Sequence, residues 1–288
     1  MYMIADENSN LQSDAYIKFK TIEKFTKEYY ESHGVQYIHY FDADSGQPRP
    51  KPVHYMWDAD FVGQKHYVTS EHAHLGQQGP LTMELIVLSK SPRVLLVKGL
   101  LSHEECDTIV NMSTNLFHDS TVGTEEEQLK TRTSQTAWIR RDSSPLTDML
   151  YKRFGDVLNI PQDILREGRA AESMQVVKYQ QGQEFRNHYD ILNEGRVESR
   201  YLTLLMYLNE DQADEGVAGD GGTSFPHAFQ HRGMQARPPK GSAILFYSLL
   251  PDGNGDTASQ HAGLPVPVGV EKYICNLWVW DPRYKPEG

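Results

Sequence analysis

The chain has 288 residues, 39% of them hydrophobic, and a formal net charge of −11 from 28 Lys and Arg against 39 Asp and Glu. That length supports one large core or a core with a small appendage, and the negative charge repels nucleic acid and anionic membrane, so neither is expected as a partner. With only Cys106 and Cys275, no disulfide framework or all-cysteine metal site can be built, and any metal must rely on histidine and carboxylate.

From the N-terminus, residues 14–31 place Phe19, Ile22, Thr26 and Tyr29 at helical spacing with Lys and Glu on the other face, which predicts an amphipathic helix. GQPRPKP at 46–52 and GQQGP at 76–80 break regular structure. Residues 1–80 therefore read as an irregular extension wrapping or covering a core domain at 81–288. Histidines 54, 66, 72 and 74 in this extension have no acidic or cysteine partner at a ligand spacing and are not read as a second metal site. The start MYMIADENSN has no basic or apolar leader region, and no apolar run approaches the roughly 20 residues that span a bilayer; a soluble intracellular protein is expected.

Order sets in at residue 85, with the apolar runs LIVL and VLLV (94–97). A helix then opens at Ser102 with Glu105 in capping-box position, burying Ile109, Met112 and Leu116. A second helix begins at Ser144-Pro145, a cap residue followed by proline at the first helical position, and runs through Leu146, Met149, Leu150 and Phe154. Short strands follow at 174–179, 201–208, 242–247 and 273–280, separated by Gly-, Pro- and Asp-rich turns. Two helices ahead of many short strands predict an α+β chain with a jelly-roll-like core.

The chemistry starts at NHYD, residues 187–190. His188 and Asp190 are two apart and share one face of an extended segment. A second histidine would complete the 2-His-1-carboxylate facial triad that leaves three positions of an octahedral iron open. His261, in SQHAG, is the candidate, brought near by a neighbouring strand. An HxD pair alone arises often by chance, so its context carries the reading. That context is Lys272, the sole Lys or Arg between Lys240 and Arg283. It opens a strand on which Lys272, Ile274, Asn276, Trp278 and Trp280 alternate onto one face, where a fixed cation can hold the distal carboxylate of 2-oxoglutarate. Tyr179 is a secondary candidate for the same carboxylate.

Blocks in order along residues 86–282 resemble prolyl 4-hydroxylases of the collagen, plant and algal type: SPRVLLVKGLLSHEECDTIV, TRTSQTAW, MQVVKYQQGQEFRNHYD, RYLTLLMYLNE, GDGGTSFP, PPKGSAILFY, DGNGDTASQHAGLPVPVG and KYICNLW. The resemblance implies a double-stranded β-helix (jelly-roll, cupin-like) with flanking helices. It also implies Fe(II), 2-oxoglutarate and O2 as cofactors, with ascorbate as a reductant. His188, Asp190 and His261 fall on the family's iron positions, and Lys272 and Tyr179 on its 2-oxoglutarate positions; Thr223, in GDGGTSFP, is a further co-substrate candidate. Two departures stand out. Lys272 follows His261 by eleven residues where the family has ten, and Arg186-Asn187 replaces the Glu-Pro often found before HxD.

These features predict an oxygenase that abstracts hydrogen from an unactivated C–H bond. Hydroxylation of proline in a peptide or protein has the family behind it. Oxidation, desaturation or radical ring closure of a small amino-acid-derived molecule, of proline or kainoid kind, is the alternative, and an inactive jelly-roll binding module is a third reading. Substrate-contact candidates are Arg186, Asn187, Arg132, Arg200, Trp138 and Trp278.

Overall fold

In a computed structural model, residues 3–38, 53–120, 134–191, 199–209 and 221–281 are described. Two antiparallel sheets dominate. The larger has nine strands in the order β1 (Lys65–Ser70), β2 (Leu81–Lys90), β3 (Arg93–Lys98), β11 (Ala243–Tyr247), β8 (Arg200–Tyr207), β13 (Lys272–Trp280), β6 (Met174–Tyr179), β5 (Gln135–Ile139), β4 (His118–Asp119). The smaller has β10 (Met234–Ala236), β9 (Thr223–Phe225), β12 (His261–Gly263) and β7 (Phe185–His188).

Side-chain alternation explains why the central strands are apolar on both faces. On β8, Leu202, Leu204 and Met206 join the core beneath the helices, while Leu205 and Tyr207 face the space between the sheets with Val177, Phe225, Ile244, Phe246 and Ile274. Helix α2 (His103–Ser113) carries the expected capping box, with Ser102 and Glu105 exchanging bonds. Helix α3 (Pro145–Leu158) is capped by Ser144 with Pro145 in its first turn, and stops at Asn159, which takes a left-handed conformation (φ 50°). The two helices are tied by a fully buried ion pair, Arg153 Nη1 to Glu105 Oε2 at 2.8 Å and Nη2 to Oε1 at 2.9 Å.

Several expectations need correction. Leu116 lies past the end of α2 and is 50% exposed; helix α2 stops before a fourth turn can form. The N-terminal helix α1 runs Met3–His33, longer than expected, and Phe19 on it is 59% exposed. Among its described side chains, those of the last turns dock. Tyr29 is buried and donates to Asp252 Oδ2 at 2.7 Å, and its ring sits 5.1 Å from that of Tyr37. Beyond the helix, Asn254 clamps the extended chain, donating from Nδ2 to Gln36 O and accepting from Ile38 N, both at 2.9 Å. Residues 65–70 form strand β1, paired with β2, inside a stretch read as irregular. The loop at 76–80 is as expected, with positive φ at Gly76 and Gly79, while 46–52 lies outside the described residues.

Candidate active site

Strand pairing does what spacing could not. β12 runs antiparallel to β7 with His261 directly opposite His188. Asp190 follows two residues on, and ligand atoms of His188, Asp190 and His261 all lie within 4.8 Å of one another. Each imidazole has its Nδ1 committed to a backbone carbonyl, His188 to Arg186 O at 2.8 Å and His261 to Ser259 O at 3.1 Å. A carbonyl only accepts, so Nδ1 carries the proton and the Nε2 lone pair is turned inward.

Both Nε2 atoms stand 3.8 Å from a carboxylate oxygen of Asp190, too far for a hydrogen bond and open to an ion between them. Asp190 is 4% exposed. Its Oδ2 accepts from Thr203 Oγ1 at 2.6 Å and from Trp278 Nε1 at 3.0 Å, and the Arg200 guanidinium is 3.9 Å from Oδ1. Burial by itself would raise this carboxyl, but His261, His188, Arg200 and the Thr203 hydroxyl together hold it down at about 2. Two imidazoles with Nε2 turned inward and one fixed carboxylate, oriented by partners behind them, are the donor set that suits iron.

Behind the triad a narrow cleft between the sheets runs to Lys272, walled by Phe185, Leu205 and Ile274 and edged by Tyr179, Thr223 and Asn276. Lys272 pairs with Tyr179 in the β13–β6 register, is buried, and donates from Nζ to Gly221 O. Its ammonium lies 5.4 Å from the Tyr207 ring centre and 5.7 Å from that of Tyr179. Tyr207 in turn shares a 2.6 Å hydrogen bond with Thr223. A cation held among aromatic faces at the closed end of an apolar cleft is equipped for a carboxylate.

The expected row on β13 holds from Lys272 to Trp278, all on the cleft. Trp280 lies past the end of the cleft on the same side, its indole donating at 3.0 Å to Glu172 Oε1, the carboxylate that also holds Arg200; the register shift there falls on β8, where Tyr201 is passed over and Arg200 stands opposite Trp280. The stretch between His261 and Lys272 is a turn, with Val270 N bonded to Pro267 O and Gly269 at φ 77°. Arg186 is exposed and pairs with Glu184, and Asn187 is exposed. Arg200 is bound to Glu172 at 2.6 Å and stacks on Trp278, its guanidinium carbon 3.7 Å from the ring centre. Trp138 is 40% exposed with its ring 6.2 Å from that of Trp278. Arg132 lies outside the described residues. Histidines 54, 66 and 74 each contact a backbone carbonyl and His72 contacts Gln162. Sequence reasoning missed Thr203, Leu205 and Tyr207, although a lone threonine at the middle of the apolar strand YLTLLMY was a usable signal.

Beyond this end of both sheets opens a groove of about 850 Å³. β7 ends at His188, β12 begins at His261 and β9 ends at Phe225, so the residues past those points gather there. Tyr189, between two triad members in sequence, lines it, as do Thr257 and Ala258 and, from the end of α1, His33.

A double-sheet core with a two-histidine, one-aspartate cluster at its open end and a lysine at its closed end defines the class of iron- and 2-oxoglutarate-dependent oxygenases. Residues 174–280 match the 2OG-Fe(II) oxygenase superfamily. The chain is 30% identical over 240 residues to probable prolyl 4-hydroxylase 3 of Arabidopsis thaliana, covering 75% of this chain and 78% of that one. It is 30% identical over 222 residues to prolyl 4-hydroxylase 5 of the same plant, covering 69% and 72%. The crystal structure of a viral collagen prolyl hydroxylase from Paramecium Bursaria Chlorella virus-1, a 2OG complex, superposes with a TM-score of 0.50 at 28% identity, covering 65% of this chain and 96% of that chain. The chain belongs to the prolyl 4-hydroxylase-like family of 2-oxoglutarate/Fe(II) oxygenases and has their double-stranded β-helix fold, and it is a dioxygenase that uses Fe(II) and 2-oxoglutarate.

Proposed function

We propose that this enzyme hydroxylates proline in a peptide or protein, with His188, Asp190 and His261 holding the iron and Lys272 the distal carboxylate of 2-oxoglutarate. When bound, Fe(II) with 2-oxoglutarate and O2 supplies the oxidant for an unactivated C–H bond. The chain's own residues bind, orient and exclude water. His188 and His261 present Nε2 because their Nδ1 atoms are tied back. Thr203 and Trp278 occupy Asp190 Oδ2, which leaves Oδ1 for the ion. Tyr179 and Thr223 flank Lys272 at the co-substrate's far end, and Phe185, Leu205 and Ile274 keep the cleft apolar. The observation that carries the reading is the convergence of the three ligand atoms within 4.8 Å at the end of a cleft that holds Lys272.

The N-terminal stretch 1–80 acts, in this proposal, as a cover that lends His33 and its neighbours to the substrate groove, while 81–288 is the oxygenase domain. Oxidation or ring closure of a small amino-acid-derived molecule is a second reading, favoured by one observation, the basic character of that groove.

Succinate release with Fe(II) and 2-oxoglutarate, measured against proline-rich peptides, free proline and N-substituted glutamates, tests both. Coupling to a proline peptide is expected. Coupling to N-substituted glutamates alone overturns the peptide reading. His188→Ala is expected to abolish Fe(II) binding in equilibrium dialysis together with turnover; retention of both would sink the ligand assignment.

A further inference from the structure

The groove at the open end of the sheets carries charge of one sign. Lys90 and Arg232 line it together with His33, His227 and His231, and among the described residues no Asp or Glu does. Acidic residues outnumber basic ones 39 to 28 in the chain, so a surface of average composition would set carboxylates among those cations. Other bases near the triad are engaged: Arg186 with Glu184 and Arg200 with Glu172. Lys90 and Arg232 are exposed and make no ion pair with a described residue.

The groove adds donors to the charge. His227 lies 2.9 Å from His231 through their Nδ1 atoms and 3.0 Å from Gln260 Oε1. Gln260 is the residue before His261, so this polar array is joined directly to the triad strand. Arg232 follows a turn in which Phe229, Gln230 and His231 all have positive φ, 53°, 56° and 69°, a conformation that costs free energy in non-glycine residues and is held by its surroundings. Unpaired cations in a concave wall focus potential inward, and a guanidinium matches a carboxylate with two parallel hydrogen bonds.

We propose that this groove binds carboxylate groups of the substrate, so that the molecule oxidised at the iron carries negative charge away from the reacting C–H bond. Acidic side chains of a peptide and the carboxylates of a small amino-acid derivative share this chemistry. The inference rests on the oxygenase reading and narrows its substrate.

The test uses the full chain with Fe(II) and 2-oxoglutarate, following succinate. The probes are the pentapeptides Glu-Glu-Pro-Glu-Glu, Ala-Ala-Pro-Ala-Ala and Lys-Lys-Pro-Lys-Lys, and N-butylglutamate beside its dimethyl ester. An acidic probe is expected to couple with kcat/KM about ten-fold or more above its neutral counterpart, a preference that fades at high salt. The double substitution Lys90→Glu, Arg232→Glu is expected to invert the acidic-to-neutral ratio, chiefly through KM. The salt series on the unaltered protein keeps the proposal testable if that variant misfolds. A response to the pentapeptide identifies a peptide source of the carboxylates, and a response to N-butylglutamate a small-molecule source. Equal coupling across the charge classes, or coupling to none while 2-oxoglutarate is still consumed, overturns the groove assignment. Failure to consume 2-oxoglutarate under any condition overturns the oxygenase reading instead.

Discussion

Trp278, a candidate for contact with substrate, lines the cleft and donates its indole N–H to Asp190. With Thr203 it fixes which oxygen of the carboxylate faces the ion. Groups that orient metal ligands in this way typically contribute 10–100-fold in affinity. Trp278→Phe and Thr203→Val are therefore each expected to weaken Fe(II) binding by about ten-fold or more, measured by dialysis; unchanged affinity in both would remove them from this role. Lys272→Gln keeps a donor but loses the charge, and is expected to raise KM for 2-oxoglutarate by about a hundred-fold, as for a charge-assisted pair in a dry site. Asp256 is a separate case. Burial pushes its carboxyl up to about 6 against the opposing Ala258 N–H, Arg93 and His227. The folded state holds this proton more tightly than the unfolded chain does. The group's contribution is thus favourable at low pH and is lost as pH rises from near 4 to 6. Asp256→Asn keeps an acceptor for Ala258 and removes the titration, so its stability relative to the parent is expected to rise by about 2 kcal/mol between pH 4 and 7. Parallel denaturant midpoints for the two proteins across that range would contradict this.

Among elements, α2 and α3 depend on one another through Glu105, which caps its own helix at Ser102 and also holds Arg153. Glu105→Ala would leave a buried guanidinium unpaired and is expected to cost about 3–5 kcal/mol, read from urea unfolding. Both helices were legible because cap residues and proline act locally. The long strands β6, β8, β11 and β13 were legible for a similar reason, since each is an apolar run with turn residues at its ends. The smaller sheet was not: β9, β10 and β12 have three residues each, too few for any period to register. His261 could be named as a ligand only through a supposed strand partner, and its pairing with His188 is a long-range fact that no local pattern encodes. The bulge on β8 that sets Arg200 rather than Tyr201 opposite Trp280 is likewise invisible to strict alternation.

For the molecule as a whole, the C-terminal end of α1 is fastened at defined points. Tyr29 to Asp252 and the Asn254 clamp on Gln36 and Ile38 fasten the helix to the loop that leads toward His261. The end of that helix also contributes His33 to the groove. Asn254→Ala is expected to accelerate amide exchange across residues 25–38 while β8 and β13 stay protected; equal exchange in the two proteins would show that the clamp is dispensable.

The opposition of His188 and His261 spans 73 positions of chain, counted from their numbers. Pairings of such separation close late, because the loop entropy must be met before the contact is made. A chain emerging from synthesis therefore has neither a complete binding place for the metal nor a dry cleft beside it until β7 and β12 have found their register. A slip of one residue would turn His261 to the opposite face. Assembly of the three ligand side chains is in this way tied to the finished register of β7 and β12.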